Sequence, residues 1–113
     1  MLRNLHLYLN DIIQSIDKIS KYIQGYTFEK FVKDDKTIDA VIRNFSIIGE
    51  AGNRIPEDIK EKYPKLPWHE IVGMRNKVIH EYFGLNDEIL WKTIQDDLPR
   101  LKKELLKISK KIS

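Results

Sequence analysis

Four side chains within eight positions bring complementary chemistry together: Arg75, Asn76, His80 and Tyr82, in the stretch MRNKVIHEYF at 74–83. A histidine with an ordinary pKa of about 6.5 takes or gives a proton near neutral pH. Arginine is a permanent cation whose planar fork grips a phosphate or carboxylate through paired hydrogen bonds. An amide can orient either group, and a phenol carries a hydroxyl. Each residue also has an ordinary explanation. His80 can be a surface or satisfied core residue, and Asn76 can bond a loop. Tyr82 can be a core aromatic with its hydroxyl at the surface. Arg75 can pair with Glu50 or another carboxylate of an upstream helix.

On one unbroken helix, each residue turns by about 100°. With Arg75 at zero, Trp68, Ile71, Val78, Ile79 and Tyr82 fall within roughly 60° of it. This predicts Arg75 at the centre of the apolar face, where it needs a partner or a wet cleft. His69, Gly73, Asn76 and His80 follow steps of four, three and four and form a polar stripe beside it. Asn76 and His80 are one turn apart, within side-chain reach.

The elements that must position these residues read as helices. Leu5, Leu9, Ile12, Ile16, Ile19 and Ile23 make a narrow apolar seam, and Gly25 ends that helix. Thr27 is placed to cap a short helical turn. Ile38, Val41, Ile42, Phe45 and Ile48 form a second stripe running to Gly49 and Gly52, which allow close helix approach or begin the helix end. Pro56, Pro64 and Pro67 make 55–67 a connector with at most one short turn of helix, and Pro67 suits the first position of the motif helix, which ends near Gly84. Asn86 is placed to cap the last helix, with Asp87 and Glu88 in its first turn. Its buried side reads Ile89, Ile94, Leu98, Leu101, Leu105, Ile108 and Ile112, and Pro99 should kink or split it. The basic tail KKELLKISKKIS has two readings, a nucleic-acid contact and a solvated helix end complementing the dipole, and the second is favoured as the usual helix chemistry. No period-two strand pattern, repeat or low-complexity tract is present.

The chain has 113 residues, which fits one domain, 1–113, around one core. Hydrophobic residues make up 42% and charged residues 33%, against global disorder. There is no cysteine, which excludes disulfides, thiolate zinc sites and thiol catalysis. The net charge of +3 permits contact with nucleic acid without demanding it. The N-terminus lacks an apolar signal core and no membrane span is evident, so the expected location is cytoplasmic.

The segment RNKVIHEY has the form R-x4-H-x-Y and resembles the signature of the HEPN superfamily, within it the HepT-like branch. FSIIGEAGNRI at 45–55 resembles that branch's helix before the motif, and LPWHEIVGMRN at 66–76 resembles its approach. The resemblance spans nearly the whole chain. Gly52 stands where alanine is more usual, a change that bears on helix packing. The resemblance implies an all-α antiparallel bundle of four to five helices, homodimeric around the motif helix. It implies a metal-independent endoribonuclease toxin with catalytic Arg75, His80 and Asn76 and no cofactor. The implied partner is an MntA-like minimal nucleotidyltransferase, which transfers AMP from ATP to Tyr82 and silences the nuclease.

The residues suit that chemistry. RNA carries its own nucleophile, the 2′-hydroxyl. His80 would move protons and Arg75 would offset charge growing on phosphorus, giving a 2′,3′-cyclic phosphate and a 5′-hydroxyl. His69 and His80 are eleven positions apart, without the close pairing of a helical zinc motif. One chain offers one motif histidine; a symmetric dimer offers two, an acid and a base. Two other readings stay open: a non-catalytic nucleotide-binding subunit of a nucleotidyltransferase, with Arg75 as phosphate anchor, and a structural dimer without ligand.

Overall fold

In a computed structural model, residues 2–75 and 87–112 are described. All regular elements among them are helical, as expected. They are α1 (Leu2–Tyr22), α2 (Phe28–Val32), α3 (Asp35–Arg54), α4 (Glu57–Lys62), α5 (Trp68–Val72), α6 (Asp87–Lys92), a π-helical turn (Thr93–Asp97) and α7 (Leu98–Lys111). Three long helices, α1, α3 and α7, hold most of the described core: α1 packs against both α3 and α7, while α5 packs on α3.

The apolar seam makes α1. Leu5, Leu9, Ile12, Ile16, Ile19 and Ile23 are all buried. Gly25 then turns the chain at φ 78°, a left-handed conformation that glycine adopts without a Cβ penalty. Thr27 caps α2, its hydroxyl accepting a hydrogen bond from the Lys30 N–H at 3.2 Å. Phe31 is fully buried, and its ring centroid lies 5.1 Å from that of Trp91, which ties α2 to α6.

Asp34 caps α3. Its Oδ1 accepts from the Thr37 N–H at 3.1 Å, and its Oδ2 accepts from the Tyr26 and Thr37 hydroxyls, each at 2.7 Å. These bonds, the one from Tyr26 foremost, favour the carboxylate and lower its pKa to about 2. Along α3, Ile38, Val41, Phe45 and Ile48 are buried, while Ile42 lies at the edge of the core. Asn44 is also buried; its amide N–H donates to the Ala40 carbonyl at 2.9 Å.

Several details differ from the sequence reading. The connector holds a six-residue helix, α4, longer than a single turn. Pro67 caps α5 instead of opening it; Trp68 comes first. The motif helix is interrupted: α5 stops at Val72, where the Gly73 N–H turns back to the His69 and Ile71 carbonyls, and helix resumes at 74–75. Near the C-terminus, Leu90 is buried and Ile89 only partly so.

The last helical run is continuous from 87 to 111, so Pro99 does not split it; the run changes from α to π just before the proline, which is the second residue of α7. The π-turn before it closes with the Leu98 N–H donating to the Thr93 carbonyl, which absorbs the extra residue. Asp87 and Glu88 occupy the first turn of α6. Asn86, the cap expected there, lies outside the described residues.

Candidate functional site

The site is built where α5 meets α3. Trp68, Ile71 and Met74 are buried, Ile71 against Gly52 of α3, and the Trp68 indole N–H donates to the Tyr63 carbonyl at 2.9 Å. Two glycines of α3 allow this contact. A Cβ at Gly49 would lie 2.9 Å from the Arg75 backbone nitrogen, 3.0 Å from its Cβ and 3.1 Å from the Val72 carbonyl. A Cβ at Gly52 would lie 2.7 Å from Ile71 Cγ2. The backbone at Arg75 therefore rests directly on the backbone of α3.

Arg75 is not buried at the centre of an apolar face. Its side chain is 55% exposed. Met74 is buried one turn beyond Ile71, while the Arg75 side chain, rooted against Gly49 of α3, extends to solvent. Its guanidinium stands 3.4 Å from Oε1 of Glu50, itself 54% exposed. The pairing weighed as the ordinary explanation for Arg75 is thus present, and it leaves much of the cation open. Asn76, His80 and Tyr82, the other residues of the expected site, lie outside the described residues.

His69, from the expected polar stripe, is exposed on α5. With Gly73 it borders a groove of about 580 Å³ between α5 and the π-turn and α7, whose rim carries Lys65, Glu70, Asp97 and Arg100. Arg100 is tied to Asp97 at 3.0 Å. The sequence placed His69 and Gly73 on a polar stripe but gave no sign of the opposite wall, because the π-turn and α7 are far from α5 in the chain. Among the described residues, no group of three or more histidine, aspartate or glutamate side chains is placed to hold a metal ion. No helix among them is long and apolar enough to cross a membrane.

The basic tail is partly engaged. Lys102 pairs with Asp17 of α1 at 2.6 Å, Lys107 with Glu104 at 3.2 Å, and the Lys111 ammonium stands 5.8 Å from the centre of the Tyr63 ring.

The described residues are helical throughout their regular elements, and the chain belongs to the ribonuclease HepT-like family, whose model matches residues 12–108. Three of its relatives are similar along nearly their whole length. The probable ribonuclease HepT of Thermococcus cleftensis is 46% identical over 103 residues, 91% of this chain and 94% of that one. A putative RNase of Caldanaerobacter subterraneus subsp. tengcongensis is 44% identical over 104 residues, 92% of this chain and 93% of its own. A putative RNase of Methanocaldococcus jannaschii is 40% identical over 110 residues, covering 97% and 91%. No solved structure matches the chain significantly.

Proposed function

We propose that this protein is a metal-independent endoribonuclease. The observation that carries the reading is Arg75: a half-exposed guanidinium held by one exposed carboxylate, in a chain whose full-length relatives bear ribonuclease names. Arg75 binds the scissile phosphate and offsets charge on the phosphorane. His80 acts as general base and acid, and Asn76 orients His80 or the phosphate. The RNA 2′-hydroxyl attacks its own phosphorus, so no metal-bound water is needed. Two protomers supply two histidines, and a cognate MntA-like nucleotidyltransferase switches the enzyme off by attaching AMP to Tyr82.

Incubation of purified protein with single-stranded RNA in excess EDTA tests the reading. Cleavage with 2′,3′-cyclic phosphate ends is expected, and His80→Ala should lose on the order of 10²–10⁴-fold in rate with its helical circular dichroism intact. Cleavage only with added metal, or a His80→Ala protein at the wild-type rate, would sink the mechanism.

A further inference from the structure

We propose that Glu50 is a positioning residue: its carboxylate holds the Arg75 guanidinium in place while the site is empty and gives it up to an RNA phosphate. The inference rests on the ribonuclease reading of Arg75. Three features of the structure carry it.

The first is how firmly Arg75 is placed at its root. The glycine contact at Gly49 fixes its backbone and Cβ against α3. Glu50 is the next residue on that helix, so the element that seats the arginine backbone also supplies the counter-charge for its tip. Arg54 lies one turn further along α3, yet the ion pair of Glu50 is with Arg75.

The second is the weakness of that pair. An N···O distance of 3.4 Å exceeds the roughly 2.7–2.9 Å of a strong charge-assisted bond. Both side chains are more than half exposed, at 55% and 54%. Solvent-screened pairs of this kind are worth little. The contact is strong enough to bias the direction of a long side chain and too weak to keep it from a phosphate that binds the guanidinium through two bonds.

The third is charge. A carboxylate beside the proposed phosphate site opposes an anionic ligand until the arginine turns away from it. Glu50 therefore works in two directions. It keeps Arg75 aimed, which raises the rate of the chemical step, and it competes with RNA, which weakens binding.

This dual role separates Glu50 from a merely structural ion pair. Glu50→Gln should bind a fully 2′-O-methylated RNA oligonucleotide, which has no nucleophile, about two- to five-fold more tightly than wild type. The gain should shrink when the neutral Arg75→Gln is introduced alongside, because no cation is then left for Glu50 to hold. On cleavable RNA, Glu50→Gln should lower KM and kcat together. Unchanged or weaker binding by Glu50→Gln, or a gain undiminished in the Arg75→Gln background, overturns the exchange.

The contact has its own readout, independent of RNA. The Arg75 Nε–H signal in a ¹⁵N-labelled protein, assigned by its loss in Arg75→Lys, should shift in Glu50→Gln. An unmoved signal overturns the pairing. If wild-type protein neither binds the analogue nor cleaves RNA, the ribonuclease reading and the exchange fall together, while the Arg75 signal still decides the pairing.

Discussion

At the scale of single residues, the proposed reaction gives work to Arg75, His80 and Asn76 and leaves the phenol of Tyr82 without a part in proton transfer. Its place two residues past His80 suits another role. An AMP group on Tyr82 would bring a phosphate to the arginine meant for RNA, and charge attraction would hold it there. Inhibition would combine an occupied Arg75 with a blocked groove. Co-expression with a cognate nucleotidyltransferase should add one or more AMP masses to the chain, mapped to Tyr82, and suppress cleavage. Tyr82→Phe should keep most activity and escape silencing. Tyr63 is the natural control, a half-buried phenol with the Lys62 and Lys111 ammonium groups 5.7 and 5.8 Å from its ring centre. Peptide mapping that finds AMP there, or a silenced Phe variant, would count decisively against this role for Tyr82. Arg75→Lys should also lose activity, because an ammonium keeps the charge but not the paired geometry; a lysine variant cleaving at the wild-type rate would show that charge alone suffices.

At the scale of elements, the junction of α2 and α3 yields a prediction with a definite sign. The Asp34 pKa falls from an ordinary value of about 3.9 to about 2 on folding, chiefly through the Tyr26 hydroxyl. A group with a lowered folded pKa stabilises the protein fully above its unfolded pKa and loses that contribution as pH falls through the folded value. Asn can still cap a helix. The melting temperature of Asp34→Asn should therefore lie furthest below wild type above about pH 4, and the gap should close towards pH 2. A gap that is constant across this range would rule out the carboxylate as its source. Thr27, the cap of α2, was legible in the sequence, as were the seam of α1 and the stripe of α3, because each is a local pattern with a local cause. The interruption of the motif helix was not. A lone glycine inside a helical pattern is tolerated at a cost, so the turn at Gly73 had no distinct signal in the local sequence. Trp68 and Ile71 are buried as projected and Arg75 is seated on α3 at its root, but its side chain extends to solvent beside Glu50, the partner named as an alternative; Val78, Ile79 and Tyr82 lie outside the described residues. Ile89 was named on the buried side where Leu90, one turn before Ile94, is the buried residue. The packing of Phe31 on Trp91 joins residues sixty positions apart and left no trace in local sequence.

At the scale of the whole molecule, the proposed chemistry requires an acid and a base, and each chain carries one motif histidine. Arg75 is open to solvent on the protomer, so the described part of one chain does not by itself wall off a reacting phosphate. A twofold dimer answers both needs by bringing a second His80 and a second surface to the same cleft. Light scattering should then report twice the 13.4 kDa chain mass at micromolar concentration. Mass alone does not show that the site is shared, but subunit mixing does. If both His80 side chains of a dimer act on one phosphate, a mixed dimer of wild-type and His80→Ala protomers is inactive. Wild-type protein refolded with a tenfold excess of His80→Ala should then fall to roughly a tenth of its own activity, because nearly every wild-type chain is paired with a variant. If each protomer is complete in itself, the excess variant leaves the activity per wild-type chain unchanged. A monomer in light scattering, or undiminished activity in the mixture, would return both the acid and the base to a single chain, where His6 and His69 are the only other histidines available to act.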